Sequence, residues 1–294
     1  MPLNSPMDDP EHMQLEAGLY IVATPIGNLD DITLRALKIL KAVDFIAAED
    51  TRHTARLLSH HRIQGARLIS YHDHNEISRT PELIDRIKRG SSVAVVSKAG
   101  TPLVSDPGYR LIKMAVANRT KIIPVPGASA AIAALSVSGL PTNSFVFEGF
   151  LPRTKGNRIK RLKELAVEKR TLIFYESPRR VLTLLKDIQT IMGDRPGVLS
   201  REMTKIYEEF IRGRLSAIIS TLADRSVIRG ECTLVVTGGE IKDDVSETTL
   251  RAEIEMGLQN RDETPSAIAK AVAKKYGLPK NRVYEEVLKI KDGL

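Results

Sequence analysis

Short apolar runs recur along the chain, each followed by a small-residue or polar turn and then by apolar positions at helical spacing. The first run, Leu19 to Ala23, ends in Thr24-Pro25-Ile26-Gly27-Asn28-Leu29-Asp30-Asp31. Thr33 then stands where an N-cap belongs, ahead of Leu34, Leu37, Ile39 and Leu40. Val43 to Ala48 reads as a second strand, stopped by Glu49-Asp50-Thr51-Arg52-His53-Thr54. Leu68 to Tyr71 is a third, with a helix predicted from about Pro81 to Arg89.

The fourth run, Val93 to Val96, carries no polar alternation, as expected of a strand buried on both faces of a parallel sheet. It runs into Ser97-Lys98-Ala99-Gly100-Thr101-Pro102 and on through Asp106-Pro107-Gly108 to a helix beginning near Tyr109. Lys121 to Val125 repeats the pattern, with Pro126-Gly127-Ala128-Ser129-Ala130 opening a helix rich in small residues. Open α/β sheets bind ligands beyond the carboxyl ends of their strands. Three glycine- or proline-bearing turns at one such edge predict a shared pocket. A plain helix cap with a surface ion pair is the alternative reading of Glu49, Asp50 and Arg52.

The beat changes after Gly139-Leu140-Pro141-Thr142, where a domain boundary is expected. Strands are predicted over Ser144–Glu148, Thr171–Tyr175, Gly197–Leu199, Glu208–Arg212 and Cys232–Thr237, with helices after Leu151, over Val181–Ile188 and over Leu215–Leu222. The irregular mixture predicts an α+β domain on a mixed sheet. Beyond Ser246 only helical signals remain: Glu247–Leu258, Thr264–Lys275 and Lys280–Ile290, with Gly277-Leu278-Pro279 breaking the last pair in the manner of a helix-turn-helix. The expected organisation is a disordered lead-in over 1–17, an N-terminal α/β domain over 18–140, a C-terminal α+β domain over 141–240 and a helical tail over 246–294.

Composition adds three constraints. With 294 residues, 42% hydrophobic and 27% charged, the chain is globular in character and has no apolar run of membrane-spanning length. A lone cysteine, Cys232, rules out an internal disulfide framework and fits a reducing cytoplasm. Net charge is +8, and it is clustered: Arg153, Lys155, Arg158, Lys160 and Arg161 precede Lys163 with no acid among them. Lys270, Lys274, Lys275, Lys280, Arg282, Lys289 and Lys291 form a second cluster in the tail. Such clusters are the electrostatic footprint of nucleic acid, and the first five residues are the candidate RNA contacts. Solvated helix faces give the same pattern. Aromatic residues make up only 4%, which argues against a large stacking platform.

The usual nucleotide signatures, G-x-G-x-x-G after the first strand and G-x-x-x-x-G-K-[ST], are absent, as are H-E-x-x-H and G-x-S-x-G. His72 and His74 alternate but lack a third ligand, so no metal is expected.

Five motifs occur in a telling order: Thr24-Pro25-Ile26-Gly27-Asn28-Leu29, Ala48-Glu49-Asp50-Thr51-Arg52, Ser97 to Gly108, Phe174-Tyr175-Glu176-Ser177-Pro178-Arg179 and Arg201-Glu202-Met203-Thr204-Lys205. With them the chain, from about Gly18 to Glu240, resembles the tetrapyrrole-methylase superfamily. Within it, the chain is similar to the bacterial enzymes that methylate a cytidine 2′-oxygen in the decoding centre of 16S ribosomal RNA. The resemblance implies two α/β domains with S-adenosyl-L-methionine in the cleft between them, a homodimer, and the small ribosomal subunit or its 16S RNA as partner. It places Pro25, Ile26, Gly27, Ser97, Ala99, Gly100, Thr101, Pro102, Pro126, Gly127, Ala128, Ser129, Ala130 and Tyr175 around the donor. It places Glu49, Asp50, Arg52, Glu176, Arg201 and Glu202 near the acceptor. One departure stands out: the family pattern has an acidic residue where this chain has Lys98.

Methyl transfer is an in-line displacement, so alignment carries most of the catalysis, and a weakly acidic ribose hydroxyl needs a base as its proton leaves. Glu49, Asp50 and Glu202 are the candidate proton acceptors, Glu49 foremost, and Arg52 or Arg201 could grip a phosphate bidentately. In a purely structural reading Arg52, Glu176 and Arg201 form a salt-bridge network between the domains. A tetrapyrrole-precursor C-methylase and a ribosome-binding assembly factor that has lost methyl transfer are the rival functions. The first would not need the basic segments; Lys98 favours the second.

Overall fold

The computed structural model describes residues 15–239, 247–259, 263–276, 278 and 280–292. Most of the expected lead-in, and the junction from Glu240 to Ser246, lie outside the described residues. Leu15 and Glu16 belonged to that lead-in but are held: Leu15 packs on the first core, and the Glu16 carbonyl accepts from the Tyr20 hydroxyl at 3.0 Å.

In the first half the apolar runs become β1 (Gly18–Val22), β2 (Phe45–Ala48), β3 (Leu68–Ser70), β4 (Ser92–Val96) and β5 (Ile122–Val125). Between and after them run α1 (Leu34–Ala42), α2 (Thr51–His60), α3 (Glu76–Lys88), α4 (Tyr109–Ala117) and α5 (Ala130–Ser136). The five strands form one all-parallel sheet in the order β3-β2-β4-β1-β5. β4 is buried along its whole length, because helices cover both faces of a parallel sheet. Thr33 caps α1, its hydroxyl accepting from the Ala36 N–H at 3.1 Å.

Helix α3 begins at Glu76, not near Pro81. A proline in a helical pattern reads most simply as a first-turn residue. Here the preceding turn nucleates the helix: the Asn75 side chain accepts from His72 N–H and donates to the Ser70 carbonyl. Pro81 is therefore carried inside the helix. His72 and His74 lie in this turn and not on an extended segment, with their rings edge to face at 5.8 Å.

The second half contains β6 (Phe145–Phe150), α6 (Lys155–Leu165), β7 (Thr171–Glu176), α7 (Val181–Met192), β8 (Pro196–Arg201), β9 (Glu209–Arg214), α8 (Leu215–Ala223) and β10 (Cys232–Val236). Its sheet runs β6-β7-β10-β8-β9, parallel only between β6 and β7, which is the mixed sheet the irregular pattern implied. The two halves are joined by α5. Its small face, Ala131, Ala134 and Leu135, packs with Ile26 against Ile173 of β7 and Val235 of β10. Alanines bring helix and sheet close, and that contact brings the carboxyl edge of the first sheet towards the second.

The tail forms α9 (Glu247–Gln259), α10 (Pro265–Tyr276) and α11 (Lys280–Asp292) around a core of their own that includes Leu250, Ile254, Ile268, Val272, Val283 and Val287. Among the described residues no helix is long and apolar enough to cross a membrane.

Candidate active site between the two sheets

The turns after β1 and β4 are stitched together. The Thr24 N–H donates to the Gly100 carbonyl and the Gly100 N–H to the Thr24 carbonyl, both at 2.9 Å. Gly100 adopts φ +81°, which an L-residue accepts only under strain. The loop after β8 closes over the first turn: Asn28 N–H donates to Thr204 Oγ1 at 2.9 Å, and a Cβ on Gly27 would stand 2.6 Å from Lys205 Cγ. Only glycine permits that approach.

Two cavities result. The first, about 320 Å³, is walled by Ile26, Glu49, Ala99, Gly100, Thr101, Asp106, Ser129, Ala130, Phe150, Tyr175, Glu176 and Thr233, among others. The second, about 280 Å³, is lined by Thr24 to Gly27, His53, Thr54, Ser97 and Lys205. Ile26, Lys98, Ala99 and Glu231 border both. Phe147 and Phe150 meet the Tyr175 ring edge to face at 5.0 and 5.7 Å, giving the first cavity an aromatic wall. The Tyr175 hydroxyl accepts from Ala131 N–H at 3.0 Å; burial raises its pKa, helped by the charge of Asp106.

The fourteen residues expected around the donor divide into three groups. Ile26, Ala99, Gly100, Thr101, Ser129, Ala130 and Tyr175 line the first cavity; Pro25, Gly27 and Ser97 line only the second. Pro102, Pro126, Gly127 and Ala128 border neither. Gly127 closes on Ala23, where a Cβ would stand 2.9 Å from the alanine's own, and Ala128 accepts from the Thr101 hydroxyl at 3.1 Å.

The six residues expected near the acceptor are also dispersed. Glu49 reaches the first cavity, where its Oε2 accepts from Lys98 N–H at 2.8 Å. Asp50 turns away to cap α2, accepting from Arg52 N–H at 2.9 Å and His53 N–H at 3.3 Å, which lowers its pKa. The Arg52 side chain is 95% exposed and lines neither cavity. Glu176 is buried beneath the first cavity; one oxygen accepts from Ser177 N–H at 2.8 Å and the other faces Arg180 Nη2 at 3.0 Å, off the hydrogen-bond direction. Arg201 is spent on Glu209 at 2.9 Å and on the Arg229 carbonyl. Glu202, at φ +51°, holds Lys205 Nζ at 2.8 Å and Glu231 N–H at 2.9 Å. Arg52, Glu176 and Arg201 each have other partners, so the alternative reading, a salt-bridge network between these three, does not hold.

The basic segment needs a correction. Arg158 is a buried side chain in α6, its Nε donating to Asp187 Oδ2 at 2.7 Å and its Nη1 to the Arg153 carbonyl. It is not a free cation for RNA. Arg161 forks onto both oxygens of Glu148 at 2.9 and 2.8 Å and onto Glu164. Arg153, Lys155 and Lys160 stay exposed. The reason is amphipathicity: α6 turns one face inward, and the position of Asp187 on α7 decides that an arginine sits there.

The motifs carried two site residues that residue-type reasoning passed over. Asp106 lies in the first cavity, and burial with the nearby charges of Glu49 and Asp73 pushes its carboxyl up to about 7, the Ser97 side chain pulling the other way. Lys205 bridges Glu202 and Glu231 at 2.8 and 2.9 Å on the floor of the second cavity. The signal for both was the quoted loops themselves. Burial pushes the Cys232 thiol up to about 12, in keeping with core packing and not reactivity. Among the described residues, one grouping has metal-ligand types, Asp30 with His60 and His61, none of which lines either cavity; Asp30 Oδ1 already meets His60 Nε2 at 3.1 Å and His61 Nε2 the carbonyl of Leu29, a second-cavity residue, at 2.9 Å.

The model of the tetrapyrrole (corrin/porphyrin) methylases matches residues 18–219, the whole first sheet and the second as far as α8, leaving out β10. The chain belongs to that family. Two curated relatives are similar over nearly their whole length. The ribosomal RNA small subunit methyltransferase I of Micromonospora olivasterospora is 46% identical over 92% of this chain and 88% of its own. The protein of the same name from Haemophilus influenzae is 44% identical over 91% and 95%. Among solved tetrapyrrole methylases, cobalt precorrin-4 methyltransferase shares the fold at TM-score 0.56 and 19% identity, over 79% of this chain and 98% of its own. Uroporphyrin-III C-methyltransferase from Thermus thermophilus, solved with S-adenyl homocysteine, does so at TM-score 0.54 and 18% identity, over 76% and 97%.

Proposed function

We propose that this tetrapyrrole methylase transfers the methyl group of S-adenosyl-L-methionine to small-subunit ribosomal RNA, and that the acceptor is a cytidine 2′-oxygen of 16S RNA in the decoding centre. The observation that carries the reading is the pair of adjoining cavities sharing Ile26, Lys98, Ala99 and Glu231. A two-substrate displacement needs donor and acceptor on either side of one border, held in line. The first cavity, with its aromatic and alanine walls, takes the donor; the second takes the ribose. When bound, the donor supplies an electrophilic methyl on a sulfonium. The chain supplies alignment through the stitched turns, anionic groups facing the sulfonium, and Lys205 on the acceptor side.

The exposed Arg153, Lys155 and Lys160 at the start of α6 and the basic tail supply the phosphate contacts. The protein works in the cytoplasm as a homodimer; exposed Ile132 and Val137 on α5 and its C-cap support a self-association surface, checked by light scattering. The exposed cation Lys98 on the donor-cavity border favours one second reading, an assembly factor that keeps the fold without transfer.

The test is methyl transfer from labelled donor to unmodified small subunits, with the labelled position mapped. Label on a cytidine 2′-oxygen in the decoding centre is the expected result. Label on another atom replaces the acceptor, and no donor binding favours the assembly factor.

A further inference from the structure

The loop from Thr101 to Gly108 leaves β4, crosses to the second sheet and returns to open α4. Within it Leu103 and Ser105 are left-handed at φ +71° and +67°, conformations that L-residues adopt at a cost and keep only where their surroundings overdetermine them. Two contacts do so. The Leu103 side chain packs on Gly108, where a Cβ would stand 3.2 Å from its Cγ. Ser105 presses on the β6 bulge, with Oγ 2.6 Å from where a Cβ on Gly149 would lie. The next residue is Asp106, whose carboxylate is thereby fixed in the first cavity beside Glu49.

Those two carboxylates differ. Glu49 already accepts the Lys98 N–H at 2.8 Å, and Lys98 stands on the wall common to both cavities. The carboxylate of Asp106 is partly buried and has only the Ser97 side chain to favour its charge, while Glu49 and Asp73 oppose it. Tyr175 and Glu176 of β7, Cys232 of β10, Glu231 just before it and Lys98 are the other ionisable groups on the same cavity wall. A carboxyl so placed exchanges a proton near neutrality, while its neighbour is engaged by a backbone N–H.

We propose that Asp106 is the catalytic proton acceptor for the attacking ribose hydroxyl, with Glu49 as the fixed anion that positions it. This rests on the methyl-transfer reading above. As the 2′-oxygen attacks, its bond to the methyl carbon forms while the carbon–sulfur bond breaks. The bonding pair stays on sulfur, giving neutral S-adenosyl-L-homocysteine, and the hydroxyl proton passes to the Asp106 carboxylate and then to water. Asp106 and Glu49 both line the first cavity, which meets the second at Lys98, the residue whose N–H Glu49 holds; Asp50, turned into the α2 cap, and Glu202, locked to Lys205, line neither cavity. The bound sulfonium favours the carboxylate form, so donor binding itself readies the base.

The experiment compares wild type, Asp106→Asn and Asp106→Glu in the full-length protein. Affinities for S-adenosyl-L-methionine and S-adenosyl-L-homocysteine are measured by calorimetry, and single-turnover methyl transfer to unmodified small subunits is followed from mildly acidic to mildly alkaline pH. The wild-type rate is expected to rise with pH and level off. Asp106→Asn should bind S-adenosyl-L-homocysteine normally, lose about 100-fold or more in rate and lose the pH dependence, since general bases contribute on that scale. Asp106→Glu should recover part of the rate and the pH dependence. An Asn variant with the wild-type rate and profile overturns the proposal. So does one that no longer binds S-adenosyl-L-homocysteine, which would assign Asp106 to the donor's ammonium group. A wild type that puts no methyl on a 2′-oxygen overturns the underlying reading, and this assignment falls with it.

Discussion

The carboxylate of Glu49 is held by the backbone of Lys98: Oε2 accepts its N–H at 2.8 Å across the carboxyl ends of β2 and β4. The contact is with the main chain, so any residue at 98 except proline keeps it. The ammonium is left free to act on whatever occupies the border between the cavities.

That free charge makes a prediction with a built-in control. A cation facing a sulfonium weakens its binding but is indifferent to the thioether product. Lys98→Ala should tighten S-adenosyl-L-methionine by roughly five-fold, about 1 kcal/mol, the repulsion of like charges a few ångströms apart with water between them, and leave S-adenosyl-L-homocysteine unchanged. Equal effects on the two ligands, measured by calorimetry, would show that Lys98 acts by shape and not by charge.

Arg158 and its exposed neighbours should part company. Arg158→Ala strips Asp187 of its buried partner and should cost about 3 kcal/mol in denaturant unfolding, with RNA affinity intact in protein that remains folded. Replacing Arg153, Lys155 and Lys160 with alanine should do the reverse, weakening RNA binding and flattening its salt dependence with little change in stability. If Arg158→Ala proved as stable as wild type, the inward reading of that side chain would fail.

Glu209 lies between Arg225 and Arg201, with oxygens 2.5 and 2.9 Å from the two guanidiniums, and Arg225 foremost draws its carboxyl down to about 2. The unfolded value is about 4.3, so the unfolded chain binds more protons between the two values. The stabilisation is therefore complete above pH of about 5 and drains away as pH falls through the unfolded value towards 2. Thermal midpoints across this window should fall more steeply for wild type than for Glu209→Gln, which lacks the titrating group. Parallel curves would remove Glu209 from the acid response.

The three tail helices have their own core, so their loss should not disturb the cavities. Removal of residues 246–294 should weaken RNA binding and leave donor affinity unchanged. RNA affinity equal with and without the tail, measured by filter binding at two salt concentrations, would count against the tail as a contact surface.

Much of this molecule was legible one segment at a time. The β-branched run at Val93–Val96 and Thr33 before α1 announce their elements because strand burial and N-caps are local physics. The sheet edges where ligand groups gather followed from the same runs, and so did the family, since its motifs lie in those loops. Asp50 shows the limit: a polar residue after a buried strand is equally suited to a cavity or a cap, and α2 took it.

Other features were settled by partners distant in the chain. Arg158 and Lys155 look alike among basic neighbours; Asp187, 29 residues beyond Arg158, makes one a buried ion pair and leaves the other in solvent. Asp106 read as part of a loop until Ser105 met Gly149 and Glu49 arrived from β2. Lys205 became a site residue only when Glu231 came to it from before β10. Sequence by itself determined the elements, their order and the loops that carry the chemistry, because those depend on spacing within a few residues. Which side chains face the cavities, and which carboxyl burial and neighbouring charge push up, belong to the tertiary structure alone. Burial and charge at a point are set by every segment that packs there.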